Sequence, residues 1–557
     1  MRKTFFWVLF LIGLTGCNAL APAAAVPLPL PSRTPSLSTS SSPTRTPFLP
    51  IPPTPTITLT PTPVPALWVA PYLPEAVRQA IALPSGLAKA GSPDEAILRL
   101  EVGDQRPLSH WVYALVAPFP TIPDDVSADE LRRAWQGEAV GPFAGHPLLM
   151  DESTFGVFSA LWGEPSAEAI KILPTVELLD YAWNNRPAWA IVPFETLEPR
   201  WKVLQVDGRS PLWKGFDPAD YPLTVTFSLI GDLSLLPALQ SSILSVPSTN
   251  RDSAKLTTVM MTGVTALVRA TAYTMNQRGI LYPGQDIRDT LREADILHIS
   301  NEVPYAPDCP SPNPNQADLR FCSDPAYNAL LEDVGADVIE LTGDHFGDYG
   351  AGAMRDTLDL YREKGWVYYG GGYDRDDARQ ARLIEHHGNK IAFIGCNAKG
   401  DGYATASDAT PGAVACDFDW MHGEIARLRA EGYLVIATFQ HFEYYTYAAQ
   451  PNQIADSRGM AEAGAVIVSG SQAHQPQAME FYKGAFIHYG LGNLFFDQYY
   501  LGLPTSQGFL DRHVFYDGRY IGVEPLGILF IDFARPRPMT RQERTVLLRS
   551  VFEASGW

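Results

Sequence analysis

The stretch 339–350 reads IELTGDHFGDYG. An apolar run stops, Asp344 and His345 follow at once, and Asp348 comes three residues after the histidine. A turn can be made from Gly and Asp alone, so the histidine needs a separate reason. The pattern recurs along the chain. VIATFQ is followed by His441 and then Glu443, AVIVSG by Gln472 and His474, DILHIS by Asn301 and Glu302, and FIHYGLG by Asn493. The chain holds 11 His, and three of them stand just beyond apolar runs. Imidazoles with carboxylates and amides suit two chemistries. They bind hard or borderline divalent metals, and they move protons as general acids and bases.

These residues lie far apart in sequence, so the elements before them must bring them together. From Lys255 onward strands and helices alternate. LTTVMMTGV, DILHISNEV, ADVIELTGD, KIAFIGC, YLVIATFQH, AVIVSGS and LGILFIDFA read as strands. PAYNALLEDVG, GAMRDTLDLYREKG (closed by Gly365), MHGEIARLRAEG and IADSRGMAEAG read as helices. MEFYKGAFIHYGLGN reads as a hairpin turning at Lys483 and Gly484. This order predicts an α/β fold with buried sheets. In open α/β sheets ligands bind beyond the carboxyl ends of the strands. The expectation is that His345, His441, His474 and Glu302 meet on one rim. His298 and His488 lie inside strands and read as packed residues, and His386 and His387 read as a hairpin loop. YGGGYD (369–374) lacks GxGxxG spacing and reads as a tight loop. Ser471 has no nucleophile-elbow pattern around it. Tyr499 and Tyr500 either line a groove or pack.

The chain has 557 residues, a net charge of −19 and a pI near 5.0. This excludes a broad phosphate-backbone footprint, so nucleic acid is not an expected partner. A polyanionic substrate would need a local basic patch or a metal. Residues 1–20 read as an export signal. Its apolar core is too short for a lasting membrane span, and LTGC ending at Cys17 resembles a bacterial lipobox, with Cys17 the lipidated residue. Either lipidation or plain cleavage exports the chain. Residues 21–66 are almost all Pro, Ser and Thr and read as an extended linker, a stalk on a membrane anchor. Cys309, Cys322, Cys396 and Cys416 then face an oxidising compartment. Four cysteines allow three pairings, and the sequence-local one closes two short loops. Residues 67–250 read as a smaller α/β domain, 255–535 as the domain with the rim, and 536–557 as a C-terminal tail. RPAWAIVPFETLEPRWKVLQVDGRSPL (186–212), with SADELRRAWQGE before it, faintly resembles periplasmic solute-binding proteins of the phosphate-binding type. The other reading is an α/β spacer without a ligand.

The segments MTGV (261–264), SNEVP (300–304), TGDHFGDYG (342–350), QHFEYY (440–445), GSQAHQPQ (470–477) and YGLGNLFF (489–496) resemble, in order and spacing, the motifs of the CapA family. These are capsule and poly-γ-glutamate synthesis proteins with a calcineurin-like metallophosphatase sandwich. The resemblance implies a surface lipoprotein acting in synthesis, export or anchoring of an anionic polymer, with the polymer or its synthesis machinery as partner and the membrane reached through the N-terminal lipid. It also implies an alternative, a metal-dependent hydrolase of amide or phosphoester bonds. By match, Glu302, Asp344, His345, His441 and His474 are metal-ligand candidates, and His345, His441 and Glu443 are catalytic candidates. Asn301, Asp348, Gln472 and Asn493 would support them from behind. The sequence departs from the family at Val264, where the first Asp is expected, at Gln472, where a His is expected, and at Asp344, where an Asn is expected. The incomplete set leaves one divalent ion, Mn or Zn, or none, and it favours binding or assembly over catalysis.

Overall fold

A computed structural model describes residues 64–557 apart from 236, 238, 240–242, 499 and 500. The expected export signal with Cys17, all but the end of the expected linker, and Tyr499 and Tyr500 lie outside the described residues. No helix among the described residues is long and apolar enough to cross a membrane.

The rim-bearing region is a four-layer α/β sandwich. Its first sheet runs, in spatial order, Val367–Tyr369, Val338–Glu340, Ile296–Asn301, Leu256–Thr262, Gln507–Tyr516, Arg519–Phe530 and Pro536–Pro538. The second runs Arg382–His386, Asn389–Asn397, Leu434–Gln440, Ile467–Ser469, Ala485–His488 and Met479–Tyr482. The period-2 alternation of a strand decides which side chains go where. Val259 and Met261, Ile391 and Phe393, and Leu434 and Ile436 meet in a central core between the sheets. Their neighbours Met260, Leu297 and Ile339 face outward, onto Leu331, Met354 and Leu358 of the helices Asn328–Val334 and Gly350–Lys364. Ala392, Val435 and Ala437 face outward from the second sheet onto Met421, Ile425 and Met460 of Phe418–Ala430 and Pro451–Ala463. The strands preceding the candidate residues run parallel within each sheet, so their carboxyl ends share one edge. This is the α/β sandwich with buried sheets that the sequence led us to expect.

Residues before 255 form a mixed sheet centred on Pro107–Pro118, flanked by helices such as Ala128–Trp135 and Glu152–Trp162. This region is not separated from the sandwich by a solvent gap. Leu256, Val514, Tyr516 and Ile521 join its core, and Phe119 joins the central core of the sandwich. The stretch 536–557, expected as a tail, is part of the fold. Pro536–Pro538 pairs with the sheet, and helix Arg541–Ala554 buries Leu547, Leu548, Val551 and Phe552 in the central core. Those residues recur at helical spacing, which is why they bury together.

Cys309 is bonded to Cys322 and Cys396 to Cys416, with Cα–Cα distances of 5.8 and 4.9 Å. Loops of 13 and 20 residues are closed. Reduction is expected to remove roughly 3 kcal/mol per bridge in the chain-entropy picture. A lowered thermal midpoint in dithiothreitol, matched by the Cys309→Ser/Cys322→Ser double variant, is the check.

Candidate functional site

Glu302 follows the strand Ile296–Asn301, and Asp344 and His345 follow Val338–Glu340 on the neighbouring strand. Gly343 allows the two loops to touch. A Cβ there would lie 2.8 Å from the Glu302 Cα and 2.9 Å from its carbonyl oxygen, so any other residue would push the loops apart. One ligand atom each from Glu302, Asp344 and His345 falls within 4.8 Å of the others. The second sheet adds His474, whose Nε2 lies 3.7 Å from Glu302 Oε1. The two imidazoles are aimed from behind. Nδ1 of His345 bonds Asp348 Oδ2 at 2.8 Å, and Nδ1 of His474 bonds Asn493 Oδ1 at 2.8 Å. Each ring therefore has its Nε2 left for the rim.

Three residues that the motif reading passed over complete the site. Lys399 is buried, and its Nζ lies 2.6 Å from Asp344 Oδ2 and 2.5 Å from Glu443 Oε1. Gln440 grips Asp344 twice, donating Nε2 to Oδ1 at 2.8 Å and accepting the Asp344 N–H at 2.7 Å. Arg269 sits between Phe321 and Phe496, at 5.3 and 4.7 Å from their ring centres, and is held by Asp497 at 2.9 Å. Those two rings abut His345 and His474 at 4.8 and 5.0 Å. Arg269 adopts φ +43°, a costly conformation for a side chain of that size.

The electrostatics follow from this packing. Burial lowers the His345 pKa, but the bond to Asp348 and the charges of Glu302 and Asp344 outweigh it and push the value up to about 9. Burial raises Asp344, but Lys399 and His345 hold it below the usual carboxylate range. Burial dominates at Glu302 and raises it, against the pull of His474 and His345. The donor set tests whether a metal fits. Glu302 Oε1 and both amide atoms of Gln472 are buried without a hydrogen-bond partner among the described residues. Two carboxylates and an imidazole converging on such an orphaned oxygen suit Mn or Zn, so a divalent ion fits.

His441 does not join this group, which corrects the expectation that it shares the rim. Thr438 and Gln440 point inward from their strand, so the next residue turns outward. His441 lies against Phe439, 4.9 Å between ring centres, with Nε2 3.4 Å from Asp456 on the outer helix Pro451–Ala463. Burial lowers its pKa to about 4. His441→Ala is expected to leave ion affinity unchanged within about twofold, as a change remote from the ligands should; titration calorimetry with Mn is the check. Asn301 also turns away, donating to Val303 O at 2.7 Å and Tyr361 OH at 2.9 Å. Glu443 serves Lys399, 2.5 Å from its Nζ. Val264 is buried among Val268, Val303, Phe321 and Phe496, where a carboxylate would be stranded.

Beneath the rim a buried polar column runs into the sandwich. Thr342 and Ser471 donate to Glu340, whose carboxylate lies 3.3 Å from His298 Nε2. His298 bonds Tyr369 OH at 2.9 Å, and Tyr369 bonds Thr438 at 2.9 Å. His488 bonds Asp511 at 2.5 Å nearby in the same layer. Both histidines are packed, as expected, but each has a carboxylate partner.

Residues 258–498 match the family model described as Bacterial capsule synthesis protein PGA_cap. The chain is 26% identical over 301 residues to Capsule biosynthesis protein CapA of Bacillus anthracis, an overlap of 53% of this chain and 72% of that one. Relatives named for PGA biosynthesis in Bacillus subtilis and for polyglutamine synthesis in Mycobacterium tuberculosis are spanned over 45% and 50% of their length. Among solved structures, a 5′-nucleotidase precursor from Thermus thermophilus overlaps 54% of this chain and 59% of its own, at 11% identity and a TM-score of 0.32. A phosphate transport receptor from Vibrio cholerae overlaps 32% and 93%, at 11% identity and a TM-score of 0.25. Neither likeness says anything about chemistry.

Proposed function

We propose, from the match of residues 258–498 to the capsule-synthesis family model and the likeness to CapA of Bacillus anthracis, that the chain handles an anionic surface polymer such as poly-γ-glutamate, in its synthesis, export or anchoring, by binding rather than cleaving it. The observation that carries this choice is Lys399. A two-ion hydrolytic centre needs bridging carboxylates and enough ligands for both ions. Here the ammonium of Lys399 already pairs with both Asp344 and Glu443, and Val264 offers no ligand atom. Glu302, Asp344 and His345 would hold one Mn or Zn ion, with His474 beside Glu302. Such an ion would supply positive charge and Lewis acidity at the rim.

The chain's own residues do the remaining work. Asp348 and Asn493 fix the rings of His345 and His474, and Gln440 fixes Asp344. Lys399, and His345 when no ion is bound, offset part of the charge of Glu302, Asp344, Asp348 and Glu443. That offset lowers the repulsion a polyanion meets on approach. Lipidation at Cys17 would hold the chain at a membrane, with the rim outside the cytoplasm.

Poly-γ-glutamate binding, followed by interferometry on the full chain, is expected to persist within about threefold after EDTA, a change near 0.6 kcal/mol. Abolition by EDTA would overturn binding as an ion-independent property. A second reading, a metal-dependent hydrolase of amide or phosphoester bonds, is favoured by the orphaned Glu302 oxygen. Shortening of the polymer on addition of Mn or Zn would establish it.

A further inference from the structure

A cavity of about 780 Å³ lies apart from the rim, between the N-terminal region and the C-terminal helix. Lys202 and Trp213 line it from one side, and Leu526, Arg544 and Leu548 from the other. Its size is that of a small-molecule site, and its position, at a junction between two sheet systems, is where such sites occur. No residue of the Glu302 group lines it.

Its charge runs against that of the chain. Basic side chains outnumber acidic ones five to three in the lining, whereas the whole chain has 42 basic and 61 acidic residues. The buried part of that charge has a definite place. One carboxylate, Asp124, takes Lys202 on one oxygen at 2.8 Å and Arg544 on the other at 2.7 Å. Two cations thus share one anion. Lys202 has no donor to spare, because Thr121 O and Ile122 O accept from it at 2.6 and 3.0 Å. Arg544 gives Nη1 to Asp124 and Nη2 to Pro525 O at 3.2 Å. A guanidinium has five N–H groups in a fork that matches an acid group, so most of them remain. Elsewhere in the lining Arg512 is shared by Glu293 and Glu524 at 2.5 and 3.2 Å, and Lys214 and Arg292, each about half exposed, pair with Asp295 and Asp333 at 2.7 and 3.7 Å. The buried positive excess therefore lies at the Arg544 end. Leu526, Leu548 and Trp213 supply apolar surface.

We propose that this cavity binds a small amphipathic monoanion, with its acid group on Arg544 and its apolar body against Leu526, Leu548 and Trp213. The reading does not depend on the rim or on polymer binding. Carboxylates and phosphate monoesters share the required chemistry.

The test uses the full chain and a fluorescent amphipathic anion, 8-anilinonaphthalene-1-sulfonate, beside its uncharged counterpart N-phenyl-1-naphthylamine. The anion is expected to bind saturably at one site per chain, and at least about tenfold more tightly than the neutral probe, as a charge-assisted contact would give. Arg544→Met should remove that preference while the neutral probe still binds. Leu526→Trp, which crowds the apolar wall, should weaken binding of both. Displacement by dodecanoate or by dodecyl phosphate supports the proposal and identifies the head group; displacement by neither overturns it. Equal affinity of the two probes for the unaltered chain, or anion binding indifferent to both substitutions, also overturns it.

Discussion

Lys399→Met is expected to cost about 3–5 kcal/mol of stability, the loss that follows when one partner of a buried ion pair is removed. The Lys399 side chain is only 4% exposed, and Asp344, one of its two partners, only 7%. Methionine fills a similar volume, so the loss would come from two carboxylates left facing each other rather than from a void. Two further measurements separate this from a general packing defect. Glu443→Gln introduced alongside should recover part of the loss, because the coupling between contacting residues is not additive. Added Mn should raise the thermal midpoint of the Met variant more than that of the unaltered chain, since an ion can then take over the ammonium's charge. A loss under about 1 kcal/mol, the worth of an exposed pair, would mean that Lys399 is not the fixed cation of the site.

Glu302→Gln should separate ion binding from stability. Glu302 is 1% exposed and its Oε1 has no hydrogen-bond partner among the described residues. An unsatisfied buried group costs about 1–3 kcal/mol, and more when it is charged. The amide keeps the shape and removes the charge, so the ion-free variant is expected to unfold at a higher temperature than the unaltered chain. Its affinity for Mn or Zn should fall by at least about a hundredfold, beyond what loss of a supporting residue produces. Calorimetric melting with and without EDTA reads both quantities. An unchanged affinity would remove Glu302 from the ligand set, and a lower ion-free midpoint would show that its carboxylate already has a stabilising partner.

The fold was legible because strands announce themselves by alternation. The inward and outward sets at 259–261, 391–394 and 434–437 read directly from residue type. His441 could have been placed by the same rule. Counting from Leu434 puts Gln440 inward and residue 441 outward, against the motif match. Lys399 gave no such signal. It stands in an irregular segment, and Asp344, its partner, is 55 residues away, so only the folded chain relates them. The column under the rim was hidden for a similar reason. Glu340 interrupts an apolar strand, and nothing local shows that His298 waits opposite it. The helix Arg541–Ala554 was legible in the spacing of its apolar residues and was passed over because of its position near the end.

That helix has a bearing on how the chain reaches its final state. Arg544 bonds Asp124 across 420 residues of sequence, and Arg541 bonds Asp125 across 416. Contacts of such long range form late and slowly. During synthesis or translocation, the face that receives Leu547, Val551 and Phe552 stays open until the segment Arg541–Ala554 has emerged. In that interval proteases and other nascent chains could reach it, and the closing helix acts as the latch.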